Sequence, residues 1–446
     1  MDVNKRGIDS PVPNLSGYGI WYGMPKIWIS AVVIGLAAIV PYLPFIHLPF
    51  IADSYQQIIL GRTYGPVSLW PNLAADVLYR SRATSIFVTF LADQVAGPSP
   101  AFHHAVSLFL HVFNSFLIVL LGSWKRIGWS VSIPSAVAFA LCEIHQEAVI
   151  WVAALPELLV FTFVMLCLLS WIRALKQRSP ILLAVSLAAF HIALLSKESA
   201  VVVLPIAIFI WLWESREWLM PVAALLGMTV STVLYSFGIF SVANTHLHLN
   251  DGTFSFQAPF FIVLCQSFGR LLFPWGLISL AILATGRKPQ SLTLVKMSFV
   301  WIIVSLLPYC FLTYMERVPS RHTYLASVGL SLIAGAAYVA LSSRFRSNKA
   351  TLATVFALAF TVQNVSYLWT RKYDQYSRRA EPTEKFLRFV DDSLFTPVRI
   401  VCAPYGYEAF RYSAQVRKGK PADFVLGPHE DSKEIELRDY CDNSTP

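Results

Sequence analysis

Eleven apolar runs constrain this chain more than any other feature. They lie at 27–45, 101–121, 130–144, 150–172, 180–195, 200–213, 219–240, 259–284, 295–313, 324–341 and 351–369. About 20 apolar residues in a helix cross the hydrocarbon core of a bilayer. Charged residues are only 14% of the 446, and the AVILMFWYC set is 56%. Such a chain has too little polar surface to cover a water-soluble globule. The expected fold is therefore an all-α polytopic membrane protein with about eleven transmembrane helices, and disorder, coiled coil and collagen are excluded. The first run begins behind a polar head without a small-residue cleavage site, so no cleavable signal peptide is expected.

Lys and Arg set the orientation, because cytoplasmic connections collect them. With the N-terminus inside, the inner connections hold 15 basic residues and the outer ones, the tail apart, hold 7. The net charge of +9 thus belongs to helix ends and gives no sign of a nucleic-acid partner. Acids reverse the bias, with nine outside and four inside. Residues 1–26 are read as a cytoplasmic segment and 47–100 as a first outer loop. Within that loop, 85–96 suits an interfacial helix. Residues 371–446, with 13 basic and 13 acidic residues, are read as a small polar domain on the outer face. Arg371 and Lys372 fit that side badly, because they directly follow the last span. Cys402 and Cys441 lie in this tail. They are either two unrelated thiols or, as we expect for an oxidising compartment, a disulfide.

The short outer connections hold the candidate chemistry, because a charge at a membrane helix end is costly. Asp53 follows the first run and reads either as a solvated loop acid or helix cap or as a general base at the membrane surface. Arg80 and Arg82 read as headgroup anchors, or Arg82 as a phosphate ligand, since a guanidinium donates two parallel hydrogen bonds. Glu143 and Glu147 are four residues apart, so a continuous helix would place both on one face, half of a ligand set for a divalent metal. Lys197-Glu198 is an interfacial pair or part of a site. Arg321 and His322 could face a phosphate together. His111 and His191 read as core residues. No glycine-rich nucleotide loop, HExxH or CxxC occurs.

These segments occur in a recognisable order. It runs from Asp53 through Tyr79-Arg-Ser-Arg82-Ala-Thr, Ser107-Leu-Phe-Leu-His111-Val-Phe-Asn114 and His145-Gln-Glu147-Ala-Val-Ile-Trp151. It continues with Leu195-Ser-Lys197-Glu198-Ser-Ala200 and Arg321-His-Thr-Tyr324-Leu-Ala-Ser327-Val-Gly329. The pattern resembles the C-type polytopic glycosyltransferases, most closely their protein O-mannosyltransferase-like branch, over about residues 27–370. It departs from the family at Asp53-Ser54, where paired acids are common, at Arg82-Ala83, and at Glu143-Ile-His145. The tetratricopeptide array carried by part of that branch does not follow the last run.

The resemblance implies transfer of a sugar from a polyprenyl-phosphate donor to an acceptor hydroxyl on a protein, lipid or glycan, at the outer or periplasmic face of a plasma or inner membrane. Asp53 and Glu147 would be catalytic. Arg82, Lys197, Glu198, Arg321, His322, Tyr324 and His145 would bind substrate. The alternative is a non-enzymatic transporter or binder of a lipid-linked glycan, which needs no base at Asp53.

Overall fold

The computed structural model describes residues 24–214, 218–242, 244, 247–250, 252–285, 289–313, 316–344, 349–391, 398–402, 404–419 and 433–437. Each apolar run is helical. Six helices are long and apolar enough to cross a membrane: Trp28–His47, Pro100–Ser123, Val152–Gln177, Met220–Phe240, Ser291–Phe311 and Thr351–Val390. Two bent pairs, Trp129–Leu141 with Glu143–Ile150 at 50° and Phe260–Leu272 with Trp275–Ala284 at 72°, are each a broken span or a re-entrant loop. The remaining three runs form Pro180–Leu194, Val203–Glu214 and Ser327–Arg344. The first two have 15 and 12 residues. At 1.5 Å per residue they rise only about 18–23 Å, short of the ~30 Å hydrocarbon core. Length and composition therefore account for six to eight crossings among the described residues, where the apolar runs predict about eleven.

The helix Leu155–Gln177 is the axis of the bundle. It packs against Pro180–Leu194, Pro100–Leu120 and Val203–Glu214, and Leu158, Phe161, Val164, Leu168 and Trp171 are fully buried. Ser327–Arg344 sits between Trp129–Leu141, Pro289–Leu306 and Trp275–Ala284. It gets that close because it presents small residues: a Cβ on Gly335 would fall 2.8 Å from the Val131 carbonyl oxygen and from the Ser135 nitrogen, and one on Gly329 would fall 2.6 Å from the Ser298 carbonyl oxygen. Without a hydrophobic driving force between helices in lipid, such close backbone packing is what holds them together. Outward faces stay apolar, as at Val230, Val233, Leu234 and Phe237 on Met220–Phe240.

A network of buried polar side chains is hydrogen-bonded inside the bundle, where lipid offers no partners. Tyr324 Oη donates to His111 Nδ1 at 2.8 Å, and His111 Nε2–H donates to the Ala140 carbonyl at 3.2 Å. Asn114 Nδ2 donates to the Leu158 carbonyl at 3.0 Å, and Thr162 donates to Asn114 Oδ1 at 2.6 Å. His145 Nδ1–H donates to Ser327 Oγ at 2.8 Å, and that hydroxyl donates on to the Tyr324 carbonyl.

The first loop is helical, Asp53–Tyr64 packing on Ala83–Ala96. Phe90 presses where Gly65 has no side chain, and Arg62 clasps Asp93 through two hydrogen bonds of 2.7 and 2.9 Å. The C-terminal part shares a core with this loop: Phe386, Val390, Val398, Ile400 and Phe410 pack with Phe50, Tyr55 and Ile58. Residue 371 lies inside the continuous helical stretch Thr351–Val390. Beyond it, β1 (Val398–Val401) pairs in parallel with β2 (Lys433–Glu436), Ile400 opposite Ile435, and Tyr407–Lys418 packs on Asp53–Tyr64. Cys402 is disulfide-bonded; Cys441, its expected partner, lies outside the described residues, as does the N-terminal segment before residue 24.

The close approach at Gly335 is testable. Gly335→Ala requires backbone to shift and should cost about 1–3 kcal/mol, lowering the melting temperature of the purified protein in detergent. Gly35→Ala, where nothing lies within 4 Å, should leave it unchanged. Equal melting of the two variants would refute the packing account.

Candidate active site

The helix Trp129–Leu141 stops two residues before Glu143. A 3-10 turn, Glu143–His145, and a five-residue helix, Gln146–Ile150, follow. The break is held by side chains: Asn364 Oδ1 accepts from the Glu143 N–H at 2.9 Å, and Thr323 Oγ1 donates to the Ile144 carbonyl at 3.2 Å. Glu143 and Glu147 therefore do not share a continuous helix face, which corrects the sequence expectation. Each faces cations of the protein, so the pair does not fit a metal. Among the described residues no three of His, Cys, Asp and Glu are grouped to hold a metal ion.

Glu147 is the centre of one cluster. It accepts from Arg321 Nη1 at 2.9 Å, from the Arg321 N–H at 3.3 Å and from Ser320 Oγ at 3.1 Å. Arg379 Nη1 lies 3.5 Å away. Both guanidinium groups lie over the Trp151 ring, at 5.0 and 5.1 Å. Tyr405 Oη donates to the Arg379 carbonyl at 2.6 Å.

Asp53 is the first residue of Asp53–Tyr64, and its side chain makes no cap, since Ala52 holds the cap position. Solvent reaches it, yet protein crowds it enough that lost hydration raises its carboxyl above the ordinary carboxylate range; the positive charges of Arg379 and Arg321 oppose that rise. A carboxylate that is harder to keep charged is a better proton acceptor at neutral pH.

The second cluster adjoins the first through consecutive residues. Glu157, inside the bundle, accepts from Lys197 and from His322 Nδ1–H, and from Tyr309 Oη at 3.1 Å. Lys197 Nζ also lies 3.2 Å from His322 Nδ1. One nitrogen cannot donate to Glu157 and accept from Lys197 at once; we assign its proton toward the carboxylate, the stronger acceptor. Tyr309 stacks on the His322 ring at 4.3 Å.

Next to Lys197, Glu198 pairs with Arg82 through two hydrogen bonds, one of 2.8 Å. Burial pushes the Glu198 carboxyl up, and the Arg82 guanidinium outweighs it, holding the carboxyl down at about 2. Thr84 donates to Ser196 at 2.8 Å beside this pair, so the first loop is pinned to the 195–198 turn.

The structure thus places Arg82, Glu198, Lys197, His322, Arg321 and Glu147 along one line of ion pairs, with Asp53 within charge range of Arg321. It does not bring His145 and Tyr324 to that line's open side. Both are fully enclosed, in the hydrogen-bonded network behind the Ser320–Thr323 turn. Sequence reading missed Arg379. Its only local signal is the Arg378-Arg379 pair in a charge-balanced tail, and its value comes from the tail folding back over Trp151.

The fold has solved counterparts. ArnT from Cupriavidus metallidurans, bound to undecaprenyl phosphate, matches with TM-score 0.55 and 11% identity over 91% of this chain and 87% of that one. The Archaeoglobus fulgidus oligosaccharyltransferase, tethered with an acceptor peptide, matches with TM-score 0.51 and 10% identity over 90% of this chain and 64% of that one. The archaeal oligosaccharyltransferase AglB, in complex with an inhibitory peptide and a dolichol-phosphate, gives 0.50 and 10% over the same shares. No protein-family model and no curated protein sequence matches the chain. At these identities the likeness is one of fold alone.

Breaking the Glu157 pair should be costly. Glu157→Gln leaves Lys197 buried without a countercharge, an event worth about 3–5 kcal/mol. Thermal unfolding in detergent should show a marked loss, with much of it recovered in Glu157→Leu/Lys197→Met. A Glu157→Gln protein as stable as wild type would mean that Lys197 is not held by Glu157 and is open to substrate.

Proposed function

We propose that the protein is an integral membrane glycosyltransferase that moves a sugar from a polyprenyl-phosphate donor to an acceptor hydroxyl at the outer face of the membrane. The observation that carries this reading is Asp53, a crowded carboxylate next to Arg321 and Arg379, in a C-type glycosyltransferase fold. Undecaprenyl phosphate and dolichol-phosphate in the matching structures support a lipid-linked donor. The ordered motifs around Arg82, Glu147, Lys197 and Arg321 favour the protein O-mannosyltransferase-like branch and hence a hexose. In this reading residues 27–370 form the transferase domain and 371–446 an outer-face unit that completes the site with Arg379.

The acceptor hydroxyl gives its proton to the Asp53 carboxylate while its oxygen forms a bond to the anomeric carbon. The bond from that carbon to the phosphate oxygen breaks, and its electron pair leaves with the lipid phosphate. The leaving group is already an anion and needs cations rather than a proton. Arg321 and Arg379 share the single carboxylate of Glu147, so together they retain positive charge for it. Arg82, Lys197 and His322 are engaged by Glu198 and Glu157. They hold the first loop and the Ser320–Thr323 turn in place, so their contribution to substrate binding is through position.

Asp53→Asn should abolish transfer to an acceptor while leaving binding of undecaprenyl phosphate nearly intact, because the amide keeps the shape and cannot take the proton. The sign for stability is opposite. A carboxyl raised by the fold favours the folded state below its unfolded value, and that advantage is lost as pH rises through the folded value. At neutral pH the charged Asp53 is therefore a cost, and the Asn variant should melt no lower than wild type. In wild type, transfer should fall as pH drops through a value above the ordinary carboxylate range. Activity within a few-fold of wild type in Asp53→Asn would remove Asp53 from the base role.

Arg321→Ala should weaken undecaprenyl phosphate binding by roughly ten- to a hundred-fold, the loss of one charged hydrogen-bond partner. Unchanged binding in that variant would exclude Arg321 as the phosphate's partner.

A further inference from the structure

The first loop has two unlike faces. On Ala83–Ala96, Leu91 and Val95 are exposed and continue the line of Phe87, and Trp70 packs edge-on against Phe87 at 5.8 Å. That apolar face suits the lipid interface. A second face carries tyrosines. Tyr64 and Tyr79 lie with ring centres 6.3 Å apart, tilted by 42°, and Tyr412 of Tyr407–Lys418 is within charge range of Tyr79. All three are half-buried. Tyr407–Lys418 packs on Asp53–Tyr64, so this cluster lies where the loop meets the tail, and headgroup anchoring does not account for it.

The rings are fixed by polar contacts. Tyr64 Oη donates to Asp76 Oδ2 at 2.7 Å, and Asp76 Oδ1 accepts from the N–H groups of Leu78 and Tyr79 at 2.9 and 3.1 Å. Gln56 Nε2 donates to Tyr79 Oη at 3.1 Å. Gln56 lies most of one turn beyond Asp53 on the same helix, so the cluster begins beside the candidate base. The Tyr79 O–H, Gln56 Oε1 and Tyr412 Oη have no hydrogen-bond partner among the described residues. They are free to bond a ligand. Tyr405, on the same tail segment, is in charge range of both Asp53 and Arg379, which keeps the tyrosine face in register with the centre.

We infer that Gln56, Tyr64, Tyr79 and Tyr412 form the binding face for the acceptor, and that this acceptor is a neutral glycan. The inference rests on the glycosyl-transfer reading, because it names the substrate class of the same centre. A pyranose ring presents axial C–H bonds on its face and hydroxyls around its rim. The C–H face packs on an aromatic ring, and the hydroxyls need donors and acceptors at fixed spacing. Tyrosine supplies a rigid apolar body and a polar tip together. The carboxylates of Asp53 and Asp76 oppose an anionic acceptor. From Asp53 to Tyr64 the helix rises about 16 Å, long enough to seat a short oligosaccharide whose terminal hydroxyl reaches Asp53.

The test uses the full-length protein in nanodiscs and saturation-transfer NMR. The probes are maltotriose, cellotriose, mannotriose and triacetylchitotriose, with a hexapeptide of Ser and Thr beside them. At least one trisaccharide should bind, with the strongest transfer to its C–H protons. Tyr79→Ala and Tyr412→Ala should each weaken that binding by roughly three- to ten-fold, the loss of one aromatic contact. Tyr79→Phe, which keeps the ring, should lose less than Tyr79→Ala. Tyr338→Ala, on Ser327–Arg344, should bind as wild type does. Undecaprenyl phosphate binding, unchanged in all of these, shows that they are folded; if Tyr79→Ala does not fold, Tyr412→Ala and Tyr79→Phe carry the test. Absence of binding by every trisaccharide, or wild-type affinity in both Ala variants, overturns the proposal. Hexapeptide binding that is lost in the same variants also overturns it, and gives the face to a peptide acceptor. The enzyme reading fails separately: trisaccharide binding on these tyrosines without any transfer would sink the transferase and leave a glycan-binding face, whereas transfer to the hexapeptide alone would keep the transferase and sink this inference.

Discussion

A carboxylate inside a helical membrane bundle is tolerable only if cations meet it there, and Glu157 sets the geometry of this protein for that reason. It sits near the start of the central helix Leu155–Gln177, and Lys197 and His322 reach it from two other segments. Each of those residues has a neighbour in sequence that must then point the other way. Glu198 turns to Arg82 and fixes the first loop; Arg321 turns to Glu147 and fixes the broken helix. One buried acid thus places two loops and, through them, the surroundings of Asp53.

The broken helices follow the same logic. An unbroken Trp129–Ile150 helix would satisfy its own backbone and leave Glu147 wherever the spiral put it. The break after Leu141 frees backbone groups, and Asn364 and Thr323 take them up. Irregular backbone at a membrane helix end is affordable where other parts of the protein supply those partners. The Ser320–Thr323 turn is held from behind by Tyr324 in its network with His111 and Asn114. His145 and Tyr324 therefore matter to the site as its rigid backing, whereas their place in the motifs suggested substrate contact.

Much was legible in the sequence because membrane segments announce themselves through local composition. The apolar runs became helices at nearly the places expected, and Asp53, Arg82, Glu147, Lys197, Glu198, Arg321 and His322 stood out as charges at their ends. Short-range reading fails where length or direction depends on neighbours. Pro180–Leu194 and Val203–Glu214 look like spans in composition, and as α-helices of 15 and 12 residues they rise less than the hydrocarbon thickness. Glu143 and Glu147 look like one helix face, but the chain breaks at Glu143 to satisfy side chains more than 170 residues away.

The sequence by itself determined the helical membrane class and the charged residues from which a site could be assembled, because burial in lipid forbids nearly every other use of such runs and such charges. Only the tertiary structure decided which charge meets which. Arg379 joins Glu147 because Tyr373–Asp391 continues the last helix and the tail packs its Phe386 and Phe410 against Tyr55 of the first loop. Arg270 and Lys372 come into charge range of Glu143 because segments far apart in the chain end at the same place. Pairing of that kind falls off over a few ångströms in space and carries no trace along the chain, so it becomes visible when the helices are assembled.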